Sequence, residues 1–343
     1  MCGIAGWVGP EEGNHPLGIV TPMSQALSHR GPDASGVFTE AGIALGHERL
    51  KIIDLSEAAN QPFKSKDGRY VMVFNGEIYN FKSIKTEIGD AEYVSESDTE
   101  VLLNAYIKWG PACLERLNGM FAFAIWDCQE RHLFAARDRL GIKPLYYYQS
   151  RDEFLFASEI RALLSSGRIP RKLDRDNIAE YLTYHTVHAP RTLIGNVRML
   201  LPGHYLEYRN GQLTDHTYWK PSTQTEFTGG FDEACKQTKD LLMRSVEQRQ
   251  ISDVPIGTFL SGGIDSSALV GLVSQVKEDP VHTFSVVFDE AEFSEKKYSD
   301  LVARKFRTEH ETIHLTSDHL RDQLPVILGK MDHPSVDGPN TYV

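Results

Sequence analysis

The sequence predicts two domains of different class: an α+β layered sandwich with helices outside over residues 2–210, then an α/β parallel sheet over residues 231–343. Three observations carry this. Residues 119–127, GMFAFAIWD, are apolar on both alternating faces, so this strand has to be covered on both sides. Residues 211–230 are polar, rich in Thr and Gly, and contain a proline, which reads as a linker. From Phe231 onward helical and strand patterns alternate, as they do around a parallel sheet.

In chain order, residues 70–74 read as an apolar, aromatic strand that breaks at Asn75-Gly76. Residues 98–109, DTEVLLNAYIKW, place Val101, Leu102, Ala105, Tyr106 and Trp109 at helical spacing, with Asp98 as the N-cap. Residues 132–137 and 144–148 flank Leu140-Gly141 and read as a hairpin. Beyond the linker, the pattern predicts a helix over 231–248, a strand over 254–260, a helix over 266–275, a strand over 281–288, a helix over 294–306 and a strand over 309–315.

The 343 residues carry 36 Lys and Arg against 47 Asp and Glu, a formal net charge of −11. That balance argues against a polyanion-binding surface, so no nucleic-acid partner is expected. No apolar run approaches the ~20 residues of a membrane helix, and MCGIAGWVGP lacks the basic start and apolar core of a signal peptide. A cytoplasmic location without a membrane partner is expected. The four cysteines, Cys2, Cys113, Cys128 and Cys235, form no CxxC pair, and the histidines show no HExxH spacing, which argues against a disulfide framework and a zinc site. Cys113, Cys128 and Cys235 read as structural thiols. Trp126 and residues 146–148 read as core or interface, His29 as structural, and Arg137, Asp138 and Arg139 as braces of the hairpin and a domain boundary.

Cys2 is different. Once Met1 is removed, it carries a thiol beside a free α-amine, whose reference pKa of ~7.7–8.0 suits a base near neutral pH. A thiol paired with a base is a nucleophile for acyl transfer. Arg49, in GHERLKIIDL, offers a guanidinium that can hold a carboxylate in a bidentate grip. The Asn75 side-chain amide and the Gly76 backbone N–H, placed where a strand ends, can together donate to an oxyanion. Asp98 can hold an ammonium. These groups are what hydrolysis of an amino-acid amide requires.

MCGIAGWVG, SHRGPDASGVF, GHERLKIIDL, FNGEIYNF, SDTEVLL and ARDRLGIKPLYY occur in this order. They resemble the glutaminase domain of class II glutamine amidotransferases, N-terminal-nucleophile hydrolases with an αββα sandwich. The resemblance covers almost all of residues 2–210. It implies Cys2 as nucleophile with its own α-amine as base, and Asn75 and Gly76 as the oxyanion hole. It also implies Arg49 on the glutamine α-carboxylate, Asp98 on its ammonium, and Glu77 with Leu50, Lys51, Ile52 and Ile53 lining the same pocket.

Ser261-Gly262-Gly263-Ile264-Asp265-Ser266 follows a strand and opens a helix, a setting in which small residues and helix amides receive an anion. It lacks the lysine of GxxxxGK[ST]. Taken alone, the string fits either a phosphate loop or a capping turn in which Asp265 and the serines satisfy helix amides. An Asp inside a phosphate loop calls for a bridging divalent cation, and Mg²⁺ is the hard cation that suits it. LSGGIDSS resembles the pyrophosphate loop of ATP-dependent adenylating ligases. That likeness implies ATP contacts at Leu260, at residues 261–266 and at Val286, with Asp265 meeting Mg²⁺ through the pyrophosphate.

The two halves together resemble glutamine-hydrolysing asparagine synthetases. The implied reaction joins glutamine, aspartate and ATP through a β-aspartyl-adenylate that is attacked by ammonia released at Cys2. Family members often form homodimers. They also run longer, and their second adenylation motif, S-G-x-G-x-D-E, has no counterpart after Val287, so a C-terminally truncated member with an incomplete ATP domain is expected. The alternatives are a relative that amidates a sugar or peptide carboxylate, and a fragment that only binds or associates.

Overall fold

The computed structural model describes residues 1–11, 15–223, 226–288 and 295–332. The chain divides into two compact units made chiefly of Met1–Pro221 and Ser222–Met331. Within the first, strands β1 (Gly3–Val8), β2 (Ala34–Glu40), β3 (Ile43–Arg49), β4 (Phe63–Lys64), β5 (Tyr70–Ile78), β6 (Gly119–Asp127), β7 (His132–Arg137), β8 (Tyr146–Gln149), β9 (Phe154–Ala157), β10 (Val197–Met199), β11 (His204–Arg209) and β12 (Gln212–Thr217) build two six-stranded sheets. Their orders are β10-β8-β9-β1-β3-β2 and β12-β11-β7-β6-β5-β4, and every pairing is antiparallel.

Alternation along the strands makes the layers. Ile4 and Val8 of β1 join Val71 and Val73 of β5 and Ala122, Ala124 and Trp126 of β6 in one buried cluster between the sheets. Ala5 and Trp7 point the other way. They pack with Ile19, Val20 and Met23 of α1 (Pro16–Gln25) and with Ile160 and Leu163 in a second cluster. Helices α2 (Phe81–Ile88) and α3 (Asp98–Trp109) lie together, with α3 against β5, and a short α4 (Cys113–Arg116) follows; α5 (Ile160–Ser165) and α6 (Arg175–Tyr184) complete the unit. The sandwich expected from residues 119–127 is therefore present, and Trp126 and Tyr146 to Tyr148 are buried as read.

Four local expectations change. The strand read as ending at residue 74 runs on to Ile78, because β6 pairs with it residue for residue as far as Ile78↔Gly119. Asn75 and Gly76 lie inside this strand, and the Phe121 Cα stands 2.8 Å from where a Cβ on Gly76 would sit. The N-cap of α3 is Ser97, whose extended backbone lets its hydroxyl accept from the Glu100 N–H; Asp98 is the first helical residue. The hairpin around Leu140-Gly141 does not form: β7 pairs with β6 and β11 in one sheet, β8 with β9 and β10 in the other. Finally, the polar stretch read as linker from residue 211 opens with β12, which pairs with β11 across a tight turn at Asn210-Gly211, both in the left-handed region.

The second unit holds α7 (Phe231–Gln248), β13 (Gly257–Phe259), α8 (Ile264–Val276), β14 (His282–Phe288), α9 (Lys296–Phe306), β15 (Glu309–Leu315) and α10 (Ser317–Lys330). β13, β14 and β15 form the expected parallel sheet. β13 is shorter than the predicted strand over 254–260. The expected helix start at residue 294, and residues 333–343, lie outside the described residues. No described helix is long and apolar enough to cross a membrane.

Candidate functional site

One strand from each sheet, the segments beside β1 and β3 and the start of α3 bring the residues predicted for glutamine to one cavity of about 200 Å³. Cys2 enters just before β1, Arg49 ends β3, residues 50–53 follow it, and Asn75, Gly76 and Glu77 lie on β5. Asp98 starts α3. Cys2, Arg49, Leu50, Ile52, Ile53, Asn75, Gly76, Glu77 and Asp98 all line the cavity. Lys51 is the exception: its backbone N–H donates to Asp33 Oδ2 at 2.8 Å and it does not line the space.

The Cys2 thiol sits against the Leu50 backbone, accepting from its N–H at 3.4 Å. Burial pushes the thiol above its ordinary value, while the Leu50 hydrogen bond and the Arg49 charge pull it back. Arg30 Nε donates to the Cys2 carbonyl at 2.9 Å, and Arg30 Nη1 pairs with Glu159 at 2.7 Å, so the backbone of the nucleophile candidate is held in place. His29 joins the same carboxylate at 3.0 Å, in keeping with a structural role. Met1 also lines the cavity, and burial lowers the pKa of its α-amine.

Asn75 is 1% exposed, and its Nδ2 has no hydrogen-bond partner among the described residues. An unmet buried donor costs ~1–3 kcal/mol, so a cavity-lining one is prepared for an acceptor that arrives from outside the fold. The strand around it is fixed from the side. β4 pairs with β5 only at Met72 and Val71, so the Phe74 edge lacks a ladder partner there. The Gln61 amide takes that place: its Oε1 accepts from the Phe74 N–H at 2.6 Å and its Nε2 donates to the Phe74 carbonyl at 3.3 Å. His47 also bonds that carbonyl at 3.0 Å, and burial pushes its pKa down to about 4, so the ring is neutral at pH 7.

Asp98 is buried and accepts from the Ile78 N–H at 2.9 Å. Burial, with a smaller push from the Glu77 carboxylate, raises its pKa to about 7. The Arg49 guanidinium is gripped by its own loop: Nη1 donates to Ser56 O at 2.8 Å and Asn60 Oδ1 at 2.7 Å, and Nη2 to the carbonyls of Asp54 and Ile53. Both Nη groups thus shape the loop wall.

In the second unit, Leu260 is buried and its N–H donates to Phe284 O at 2.8 Å. Gly262 sits at φ +88°, and a Cβ there would meet Ser299 N at 2.8 Å. The helix begins at Ile264, two residues before the predicted start, with Gly263 as an N-cap that has no side-chain capping bond. The Ser261 and Ser266 hydroxyls bond each other at 2.9 Å, Ser261 Oγ also accepts from the Gly263 N–H at 3.3 Å, and Ser266 Oγ donates to Gly263 O at 3.2 Å. The serines thus bind one another and the Gly263 backbone at the start of the helix. Ile264 is 89% exposed and Val286 42%. Among the described residues no three His, Cys, Asp or Glu side chains converge as a metal site. Asp265 alone suits a Mg²⁺ held largely by phosphate oxygens.

Residues 1–219 match the glutamine amidotransferase domain family. The chain belongs to the glutamine amidotransferase family. Residues 237–341 match a second family, asparagine synthase. Glutamine-hydrolyzing asparagine synthetase 3 of Bacillus subtilis is 37% identical over 300 residues, which cover 84% of this chain and 48% of that protein. Glutamine-hydrolyzing asparagine synthetase 1 of the same organism is 35% identical over 350 residues, covering 98% and 54%. The chain spans about half the length of these curated relatives. A solved glutamine phosphoribosylpyrophosphate amidotransferase from B. subtilis shares the fold, with a TM-score of 0.52 at 15% identity, covering 96% of this chain and 92% of that one.

The amidotransferase cavity also contains Gln61, Phe74, Thr99, Met120 and Lys143, which were not read from the sequence. Met120 was within reach of strand pairing, since it faces Glu77 across β5 and β6. Lys143 lies in the quoted string ARDRLGIKPLYY but carried no signal of its own.

Proposed function

We propose that the first unit hydrolyses glutamine at Cys2 and that the ammonia serves an ATP-dependent synthesis of asparagine from aspartate. The observation that carries the first part is the unpartnered Asn75 donor lining the same cavity as the Cys2 thiol. After removal of Met1, the α-amine of Cys2 takes the thiol proton and the sulfur attacks the side-chain amide carbonyl carbon of glutamine. Asn75 Nδ2 and the Gly76 N–H receive the oxyanion, and ammonia leaves with the proton. Water then releases glutamate. Asp98 holds the substrate ammonium, Arg49, from the loop it grips, receives the α-carboxylate, and Glu77 and the backbone of residues 50–53 line the same pocket.

The second part rests on the asparagine synthase match and on relatives named as asparagine synthetases. Residues 261–266 would receive the pyrophosphate of ATP, with Leu260 and Val286 beside the nucleotide. Asp265 would hold Mg²⁺, which supplies charge neutralisation at the phosphates. A glycine pair that turns at Gly262 directly into the N-terminus of α8 supports this reading. The test is glutamate release from glutamine without ATP or aspartate, which the first unit should support by itself. With ATP, Mg²⁺ and aspartate added, the labelled amide of glutamine should be recovered in asparagine by the protein holding both halves. Label recovered on another carboxylate would redirect the second half of the reading.

Asn75→Ala should lower turnover more than affinity, by roughly 2.7–4 kcal/mol or ~10²–10³ in rate, because its donor acts where the oxyanion forms. Arg49→Ala should weaken apparent affinity most. Steady-state kinetics of both variants check this; two affinity defects of the same pattern would contradict the division of roles.

Asp98 predicts a pH dependence. Only its carboxylate form pairs with the substrate ammonium, and its pKa stands at about 7. KM for glutamine should fall as pH rises towards that value and level off above it, by about tenfold per unit on the acid side. Asp98→Asn should flatten the profile. For stability the sign is the reverse. The folded-state value lies above the ordinary 3.8, so the contribution of Asp98 is fully present below 3.8 and is lost as pH rises through about 7. The Asn variant should therefore melt higher than the parent at alkaline pH.

A further inference from the structure

The turn after β7 presents a charged group to the Cys2 cavity that the reading above leaves unused. Asp138 is buried, and its carboxylate accepts from the backbone N–H groups of Leu140 at 3.1 Å, Ile142 at 2.9 Å, Lys143 at 3.0 Å and Phe121 at 3.1 Å. Arg137 Nε donates to the Lys143 carbonyl at 2.7 Å, and its Nη groups hold Gly141 O and Leu200 O. The Lys143 backbone is thus fixed on both sides by buried charged side chains. The sequence reads Arg137 and Asp138 as braces of a hairpin and a domain boundary; that hairpin does not form, and what they brace is the turn that carries Lys143.

The Lys143 side chain is itself buried, at 6% exposure, and lines the cavity. Among the described residues it makes no ion pair or hydrogen bond through its ammonium, and the carboxylate that acts on it most, Glu77, does so through space. Burial lowers the pKa of this ammonium, so the fold is less stable for holding the charged form there. The other charges that face Cys2 are already engaged or of the wrong sign. Arg49 holds its loop, and Arg30 holds the Cys2 carbonyl and Glu159. The α-amine is needed as the base, and Asp98 and Glu77 oppose an anion.

We propose that Lys143 is a catalytic residue of this site, its ammonium the counter-cation for the negative charge that forms at Cys2 and on the γ-carbonyl oxygen as glutamine is cleaved. This rests on the reading of Cys2 as nucleophile. Lys143 exchanges no proton. The thiol proton passes to the α-amine, the sulfur–carbon bond forms to give the tetrahedral oxyanion, and the carbon–nitrogen bond then breaks as that proton leaves on ammonia; water next adds to the thioester carbonyl, its proton passing through the α-amine to the departing sulfur, to give the free thiol and a side-chain carboxylic acid that ionises to solvent. The same ammonium faces the thiolate, the oxyanion and the carboxylate in turn.

The test uses Lys143→Met, which keeps length and removes charge, and Lys143→Arg, which keeps charge. Cys2 alkylation by iodoacetamide is followed across pH at the N-terminal peptide, beside kcat, KM and the melting temperature. Lys143→Met should raise the alkylation midpoint by roughly one pH unit. It should lower kcat by about tenfold or more with a smaller change in KM, and raise the melting temperature because an unpaired buried charge is gone. Lys143→Arg should return the midpoint towards the parent value. An unmoved midpoint in a folded Lys143→Met protein, or parental kcat, would overturn the proposal. A joint fall of kcat and melting temperature at constant midpoint would also overturn it, as the signature of a structural brace. Absence of glutamate release from the parent protein would sink the glutamine reading instead, while the alkylation shift would still decide whether Lys143 acts on the thiol.

Discussion

Cys2→Ala is expected to abolish glutamate release from glutamine while leaving the protein folded. The thiol meets its surroundings through weak contacts, 3.4 Å from the Leu50 N–H and 3.7 Å from the Leu50 carbonyl. Removing one sulfur from this half-buried position should cost no more than about 1 kcal/mol. The remaining cavity still holds the Asn75 donor, Arg49 and Asp98, so the variant should bind glutamine and fail only at bond formation. Binding measured by calorimetry, turnover by glutamate release and folding by thermal unfolding separate these effects. Substantial turnover by a folded Cys2→Ala protein would remove Cys2 from the reaction.

Retention of Met1 is expected to be nearly as damaging, for two reasons. Chemically, the nitrogen of Cys2 is then an amide that cannot accept the thiol proton near neutral pH. Sterically, Met1 lines the cavity, with its sulfur 3.9 Å from Arg30 Nη2, so it takes part of a space of about 200 Å³ that glutamine needs. The Met1 α-amine already shows what this environment does to an amine: burial lowers its pKa below the ordinary 8.0, which leaves a larger fraction as free base at neutral pH. Mass spectrometry of active protein should find Cys2 first. Full activity in a sample verified to retain Met1 would contradict the α-amine mechanism.

Much of the site was legible because its chemistry is carried by residue types in local strings. Cys2, Arg49, Asn75, Gly76, Glu77 and Asp98 needed no tertiary information to be named, and the cavity collects all of them. Periodicity placed β6 with its observed bounds and α3 to within one residue at its N-cap, since both are buried along most of their length and so patterned throughout. Asn75-Gly76 misled because Asn-Gly is a strong turn signal. Here the demand for glycine comes from a neighbouring strand: a Cβ on Gly76 would stand 2.3 Å from Met120 O. The false hairpin after β7 failed for a related reason. Which sheet β8 joins is decided by its partners β9 and β10, and nothing between residues 137 and 146 encodes that choice. Lys143 and Gln61 escaped because a lysine in a turn and a glutamine in a loop read as solvated. Only the folded chain shows one held in the cavity and the other standing in for a missing strand partner.

The most direct measurement is rapid acid quenching of the protein during turnover of isotopically labelled glutamine, followed by mass spectrometry of the N-terminal peptide. A γ-glutamyl thioester on Cys2, formed and lost at rates compatible with turnover and absent from Cys2→Ala, is the predicted result. Steady glutamate release with the label on a different residue, or with no covalent species at Cys2 under conditions that trap a thioester, would contradict it.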